Sequence, residues 1–226
     1  MDFDQHVDGH QKAIDDAAGV SLGELAGEHA RLVLELLARV GDPKTLRILD
    51  VGCGIGRTDR VLECGVGELY GADMSQQSLV AARVAAPATR FVHYDGKRLP
   101  FSDAAFDAAF AISVLHHVPP AERSRFMAEM LRTIRPHGAV IIIEHNPLNP
   151  VTRRIVSRCA FDADAVLLGS RETAGLLADS GAPAVGQRYL GFWPFRHAVI
   201  EQLERAIAWL PMGAQYCMWG IKLPDG

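Results

Sequence analysis

Three glycines alternate with other residues directly behind a short apolar run that ends in an acid: Ile48-Leu49-Asp50-Val51-Gly52-Cys53-Gly54-Ile55-Gly56. Glycine reaches left-handed backbone angles and lets a ligand come close to the main chain. A helix that starts behind such a turn offers N–H groups with no partner inside the helix. A second acid, Asp73, closes the next apolar run. At the end of the second strand of a βαβ unit, a carboxylate accepts hydrogen bonds from ribose hydroxyls. A nicotinamide dinucleotide would use Asp73 equally well, and an NAD(P)-dependent oxidoreductase is the alternative enzyme class. Its fingerprint, however, is G-x-G-x-x-G, whereas here G-x-G-x-G is followed by Arg57 and Thr58. Asp50 also stands on the ligand side of the turn, where it would repel a pyrophosphate and attract an ammonium group. A ligand carrying both a ribose and a cationic amino-acid part fits this pattern better.

The elements that position these residues follow from periodicity. Apolar residues at Leu25, Leu32, Leu36, Leu37 and Val40 give a helix with one buried stripe, ended by Gly41-Asp42-Pro43. TLRILDVG, ELYGAD, TRFVHYD and Phe106 to Val114 read as strands, and GAVIIIEHN as a strand buried on both sides. Between them, SQQSLVAARVAA is a helix opened by a Ser75 cap, and residues 121–134 are a second, ended by Pro136-His137-Gly138. Strand and helix alternate from Leu46 to Glu144, which calls for a mostly parallel, doubly wound α/β sheet. Beyond Glu144 the expectation is a long Arg-bearing connection, helices over 171–180 and 195–209, a strand over Arg188 to Trp193, and an edge or antiparallel strand in AQYCMWGIKL.

Composition agrees with a sheet covered on both faces. Of 226 residues, 49% are hydrophobic and 22% charged, with a net charge of -4. The length suits one domain over residues 1–226, with 1–40 an N-terminal arm and helix forming a lid and 145–170 a variable substrate-side insertion. No apolar run is long enough for a membrane span, and the acidic N-terminus is not a signal peptide. Four scattered cysteines suggest a reducing, cytoplasmic setting. The weakly acidic balance, without a dense basic tract or a base-flipping motif, argues against a nucleic-acid partner. His6, His10 and His29 have no metal spacing, and neither H-E-x-x-H nor a paired C-x-x-C occurs, so no metal is expected.

ILDVGCGIG resembles the cofactor motif of class I S-adenosylmethionine-dependent methyltransferases. The chain is similar to the small-molecule branch around ubiquinone and menaquinone biosynthesis, over roughly residues 28–180. That resemblance implies a Rossmann-like sheet of seven strands in the order 3-2-1-4-5-7-6, the last antiparallel. It implies S-adenosyl-L-methionine as cofactor, with Gly52, Cys53, Gly54 and Gly56 around its methionyl part and Asp50 near its amino group. Asp73 would bind the ribose, Met74 would pack on adenine, and Asp95 beside Gly96 would receive the adenine amino group. Ser113 and His116 would flank the cofactor. The pair His116-His117 is typical of the branch, and His137 stands where a second glycine is more usual.

Methyl transfer from a sulfonium is an in-line displacement that mainly needs alignment. A hydroxyl acceptor or an activated carbon gains from a base, and histidine suits that role near neutral pH. His145 is the first candidate, because it ends the fifth strand at the carboxyl edge where ligands of open sheets collect. His117 is the second. Structural alternatives are that Glu144 caps a neighbouring backbone segment, that His145 orders a loop, and that one of His116 and His117 donates to a backbone carbonyl. Arg153, Arg154 and Arg158, near Asp162 and Asp164, would suit a sugar- or phosphate-linked small-molecule acceptor, or a solvated helix. Segments like this one also occur in bacterial methyltransferases of uncertain substrate. Seven of the sixteen aromatics fall between Tyr189 and Trp219, as an acceptor pocket, a dimer face or core. A monomer or homodimer is expected. The non-enzymatic alternative is a regulatory S-adenosylmethionine-binding protein.

Overall fold

The computed structural model describes residues 22–159, 162–192 and 198–224. Helix α1 (Leu22–Leu37) precedes β1 (Arg47–Val51), α2 (Arg57–Leu62), β2 (Glu68–Asp73), α3 (Gln76–Ala85), β3 (Arg90–His93) and β4 (Phe106–Ile112). Then come α4 (Arg123–Thr133), β5 (Ile134–His145), α5 (Pro150–Val156), α6 (Ser170–Asp179), β6 (Ala184–Leu190), α7 (Ala198–Ile207) and β7 (Gln215–Ile221). The seven strands form one sheet in the order β3-β2-β1-β4-β5-β7-β6. β7 runs antiparallel to both neighbours, β5 and β6. It therefore lies inside the sheet, not at its edge.

Side chains alternate along each strand and split the core into two layers. Leu49, Val51, Ala109, Ala111, Val140 and Ile142 face α4 and α6, where Met127, Met130 and Leu177 meet them. Ile48, Phe110, Ile141 and Ile143 face the other way, against Val33, Leu36 and Leu37 of α1 and Leu62 of α2. The two-sided burial of β5 is the reason its sequence reads as one continuous apolar run.

Local signals behave as the residues dictate. The Ser75 hydroxyl accepts the Ser78 N–H and caps α3. Asn149 caps α5 by accepting the N–H groups of Val151 and Thr152. Pro136-His137-Gly138 does not separate α4 from its strand: α4 ends at Thr133 and the three residues lie inside β5, beside a register shift against β4. His137 holds a positive φ of 65° there, which accounts for a glycine preference at that position.

The helical part of the expected lid divides its roles. Ala30, Val33, Leu36 and Leu37 of α1 are core, while Leu25, Ala26 and His29 border the main cavity. The arm over residues 1–21, with His6 and His10, lies outside the described residues, as do Phe161, Trp193, Phe195 and His197. Of the aromatic cluster, Tyr189, Tyr216 and Trp219 are core and Trp209 is exposed. No helix among the described residues is long and apolar enough to cross a membrane.

Candidate active site

A cavity of about 830 Å³ opens at the carboxyl ends of β1, β2, β4 and β5. This is where an open parallel sheet changes direction around β1 and β4 and where such sheets bind ligands. Its near end is the glycine turn. Gly52 and Gly54 both have positive φ, 82° and 53°. A Cβ on Gly52 would stand 2.5 Å from Val114 Cγ2, whereas one on Gly54 would meet nothing within 4 Å and would project into open space. Gly56 is different. It also has positive φ, but it does not border the cavity, and a Cβ there would press on Ala82 and Phe91. The constraint seen on it is the packing of the turn on α3 and β3.

Asp50 and Asp59 form a buried acidic pair behind this turn. The even-numbered residues of β1 point to the face covered by α2, and Asp59 stands on the buried side of α2 with Leu62. Asp50 Oδ1 and both carboxylate oxygens of Asp59 are buried, with no ordinary donor among the described residues. Burial pushes Asp50 well above the usual carboxylate range, and the charges of Asp59 and Asp73 push it further. Burial likewise raises Asp59 to about 7. Both shifts favour a proton on the pair. Such a pair stores a demand for positive charge, and Asp50 borders the cavity.

Asp73 is anchored from below. One carboxylate oxygen accepts the Gly54 N–H and the other the Ser75 N–H, both at 2.8 Å. A carboxylate has room for about four bonds, so both oxygens can accept hydroxyls as well. Met74 is 47% exposed at the cavity wall, its sulfur directly over Gly96. Asp95 sits exposed at the mouth and spends one oxygen on the Lys97 and Arg98 N–H groups, which hold its pKa low. Cys53 and Ser113 also border the cavity.

The far wall is built on Glu144, which is fully buried and fully bonded. Its Oε1 accepts the Val114 and Leu115 N–H groups at 2.8 and 2.6 Å, so it does cap the backbone behind β4. Its Oε2 pairs with His116 Nδ1 at 2.7 Å. His116 therefore meets a carboxylate and not the backbone carbonyl expected for one of the pair. Burial opposes charge on His116, but Glu144 and Asp162 outweigh it and raise the ring to about 9. Burial and the charge of His116 lower both His117 and His145 to about 4. All three rings border the cavity, with His116 4.1 Å from His117 and 4.9 Å from His145 between centroids.

Sequence reasoning missed four residues of this site. Asp59 has no motif of its own. Asp162 looked like one charge among several. His29 and Gln215 come from opposite ends of the chain, yet join at 2.8 Å beside the cavity. Conversely, Arg153, Arg154 and Arg158 are exposed and do not border the cavity, so they are not placed to hold an acceptor's phosphate. Among the described residues, Arg57 and Lys97 are the lysine and arginine side chains that border it.

Residues 49–142 match the methyltransferase-domain family Methyltransf_11. Residues 49–142 thus carry a methyltransferase domain. The chain is 30% identical over 145 residues to the 2-methyl-6-phytyl-1,4-hydroquinone methyltransferase of Synechocystis, covering 58% of this chain and 45% of that protein. To a trans-aconitate 2-methyltransferase of Acidovorax it is 29% identical over 199 residues, 81% of this chain and 73% of the relative. The chain spans about half the length of the first curated relatives it matches. An Archaeoglobus fulgidus methyltransferase structure superposes with a TM-score of 0.70 at 14% identity, covering 92% of this chain and 97% of that one, and shares the fold. The cofactor of this methyltransferase domain is S-adenosylmethionine, and the residues present suit it. The buried, donor-poor Asp50 Oδ1 calls for a cation, and the open space over Gly54 admits one.

Proposed function

We propose that the protein transfers the methyl group of S-adenosylmethionine to a small-molecule acceptor through an oxygen, nitrogen or carbon nucleophile. The observation that carries this reading is the single cavity shared by the acidic glycine turn and the histidine wall. Asp50, backed by Asp59, takes the methionyl ammonium; Gly52, Cys53 and Gly54 pass along the methionyl chain. Asp73 takes the ribose hydroxyls, Met74 and Gly96 the adenine face, and Asp95 the adenine amino group. Ser113 and His116 border the cofactor on the acceptor side. When bound, the cofactor supplies an electrophilic methyl on a positively charged sulfur. The chain's work is to align the acceptor and to exclude water.

His145 is the proposed base. It ends β5 and borders the cavity; burial and the charge of His116 lower it to about 4, which leaves its ring neutral but a weak base. The segment over 145–170 reaches the acceptor side through Asp162, Asp164 and Val166, which makes it the specificity element. Four free cysteines suit a reducing, cytoplasmic setting, and a monomer or homodimer is the working form of the same proposal.

Calorimetry with S-adenosylmethionine tests the cofactor half. Asp73→Ala should weaken binding about 10- to 100-fold, the worth of one or two charged hydrogen bonds; unchanged affinity would remove the ribose role. Release of S-adenosylhomocysteine over a panel of hydroxylated, carboxylated and quinol acceptors tests the rest. On whichever acceptor turns over, His145→Ala should lower the rate and leave cofactor affinity intact. Turnover within about twofold would show that alignment alone suffices.

A further inference from the structure

His116, His117 and Asp162 place one ligand atom each within 4.8 Å of one another on the cavity wall. His116 Nε2 lies 3.5 Å from Asp162 Oδ1, and His117 Nε2 lies 3.4 Å from the same oxygen. Those separations are too long for charged hydrogen bonds, which fall near 2.7–2.9 Å. The His116–Glu144 contact, at 2.7 Å, shows what such a bond looks like in this site. They do match the edge of a tetrahedron: two ligands each about 2.0–2.1 Å from a shared ion stand about 3.3 Å apart.

We propose that His116, His117 and Asp162 bind a divalent first-row transition ion of the zinc or iron(II) kind. Two imidazoles and one carboxylate, with at least one coordination position open, are the donor set of catalytic zinc and of non-haem iron sites. The support behind His116 matches as well. A metal-bound histidine commonly gives its second ring N–H to a carboxylate, which fixes the tautomer and aims the other nitrogen at the ion. Glu144 does this for His116 and is itself fixed by the Val114 and Leu115 N–H groups. The loop that carries Asp162 is also tied to the histidine loop. The Val166 N–H donates to the His116 carbonyl at 2.8 Å, and the buried Arg123 donates to the carbonyls of Leu115, Val118 and Val166 and pairs with Glu172. No metal spacing is legible in the sequence because the ligands come from two segments, the loop after β4 and the turn after α5.

The open position faces the same cavity as Asp50 and Asp73. An acceptor oxygen would complete the coordination there, and the ion would lower that hydroxyl's pKa. This acceptor role rests on the methyl-transfer reading; the ion site does not. It recasts His117 as a ligand and leaves His145 as the base.

Chelator-dialysed full-length protein is titrated with Co²⁺ and Zn²⁺, and the visible d–d absorption of Co²⁺ is read alongside the calorimetry. The expected result is one ion per chain at about 10 μM or tighter, with the intense bands of a four- or five-coordinate site. Asp162→Asn and His117→Gln should each weaken binding about 100-fold, whereas His137→Gln, at the opposite end of β5, should leave it unchanged. Zinc-edge X-ray absorption on the unmodified protein requires no variant and should show two imidazoles and no sulfur. Failure to bind either ion below about 1 mM, binding that survives Asp162→Asn, or thiolate scattering overturns the site. S-adenosylmethionine titrated into the same metal-free sample reports the cofactor reading separately, so loss of one does not imply loss of the other.

Discussion

Arg123 is the residue whose loss should be most informative. Its guanidinium is 2% exposed and joins three parts of the chain: the loop after β4 through the carbonyls of Leu115 and Val118, the loop before α6 through that of Val166, and α6 through Glu172 at 2.6 Å. Arg123→Met keeps much of the stem volume and removes every donor. Glu172 is 47% exposed and can turn to water, so its ion pair deserves little weight. Nε is shared between two carbonyls at 3.2 Å each, which amounts to one good bond. What remains is the desolvation of buried carbonyls that lose a charged donor, about 3 kcal/mol in total. For a chain of this size that lowers the melting temperature by roughly 6–12 °C. Scanning calorimetry reads the stability, and the Co²⁺ and S-adenosylmethionine titrations read the two halves of the cavity. Because Arg123 clamps the Asp162 loop against the histidine loop, metal affinity should fall about tenfold or more while cofactor affinity changes little. Arg123→Lys should recover only a part, since one ammonium cannot reach three separated acceptors. A melting temperature within about 2 °C of the parent, or an equal loss at both halves, would refute the clamp.

The Asp50–Asp59 pair predicts two pH effects of opposite direction. Both carboxyls have folded pKa values raised by burial, Asp59 to about 7, against an unfolded value near 4. Stability contributed by holding those protons is complete below about pH 4 and is lost as pH rises through about 7. Cofactor-free protein should therefore lose stability over that window in urea titrations, and Asp59→Asn should flatten the loss. A bound ammonium has the reverse preference, so S-adenosylmethionine should bind more weakly at pH 6 than at pH 8 and release protons on binding. Proton uptake, measured in buffers of different ionisation heat, would contradict the pairing. The glycine turn offers a contrast between strain and space. Gly52→Ala meets Val114 as well as a left-handed φ and should cost about 2–4 kcal/mol. Gly54→Ala has only the backbone penalty, about 1–2 kcal/mol, yet its methyl enters the cavity and should weaken cofactor binding more than stability. Equal effects on both quantities would remove the distinction.

Much of this protein is dictated locally, and that part is legible in one dimension. A strand's period of two, a helix's stripe, the Ser75 cap and the positive-φ demand of Gly52 and Gly54 depend on neighbours within a few residues. The parallel alternation from β1 to β5 and the cofactor turn follow from them, and the resemblance carried by ILDVGCGIG supplied the strand order that the structure then showed. Other features depend on which segments meet, and loop closure between distant segments leaves no mark on local spacing. Asp59 became an acid against Asp50 only because α2 lies on that face of β1. β7 became an interior strand only because it inserts beside β5. Gly56 packs the turn on α3 and β3, and the arginines of α5 are exposed and do not border the cavity. The sequence by itself determined the fold class and the glycine turn. Tertiary structure alone decided the histidine wall, because the side chains that meet there, His116 and His117 with Asp162, and His29 with Gln215, are brought together from segments far apart in the chain.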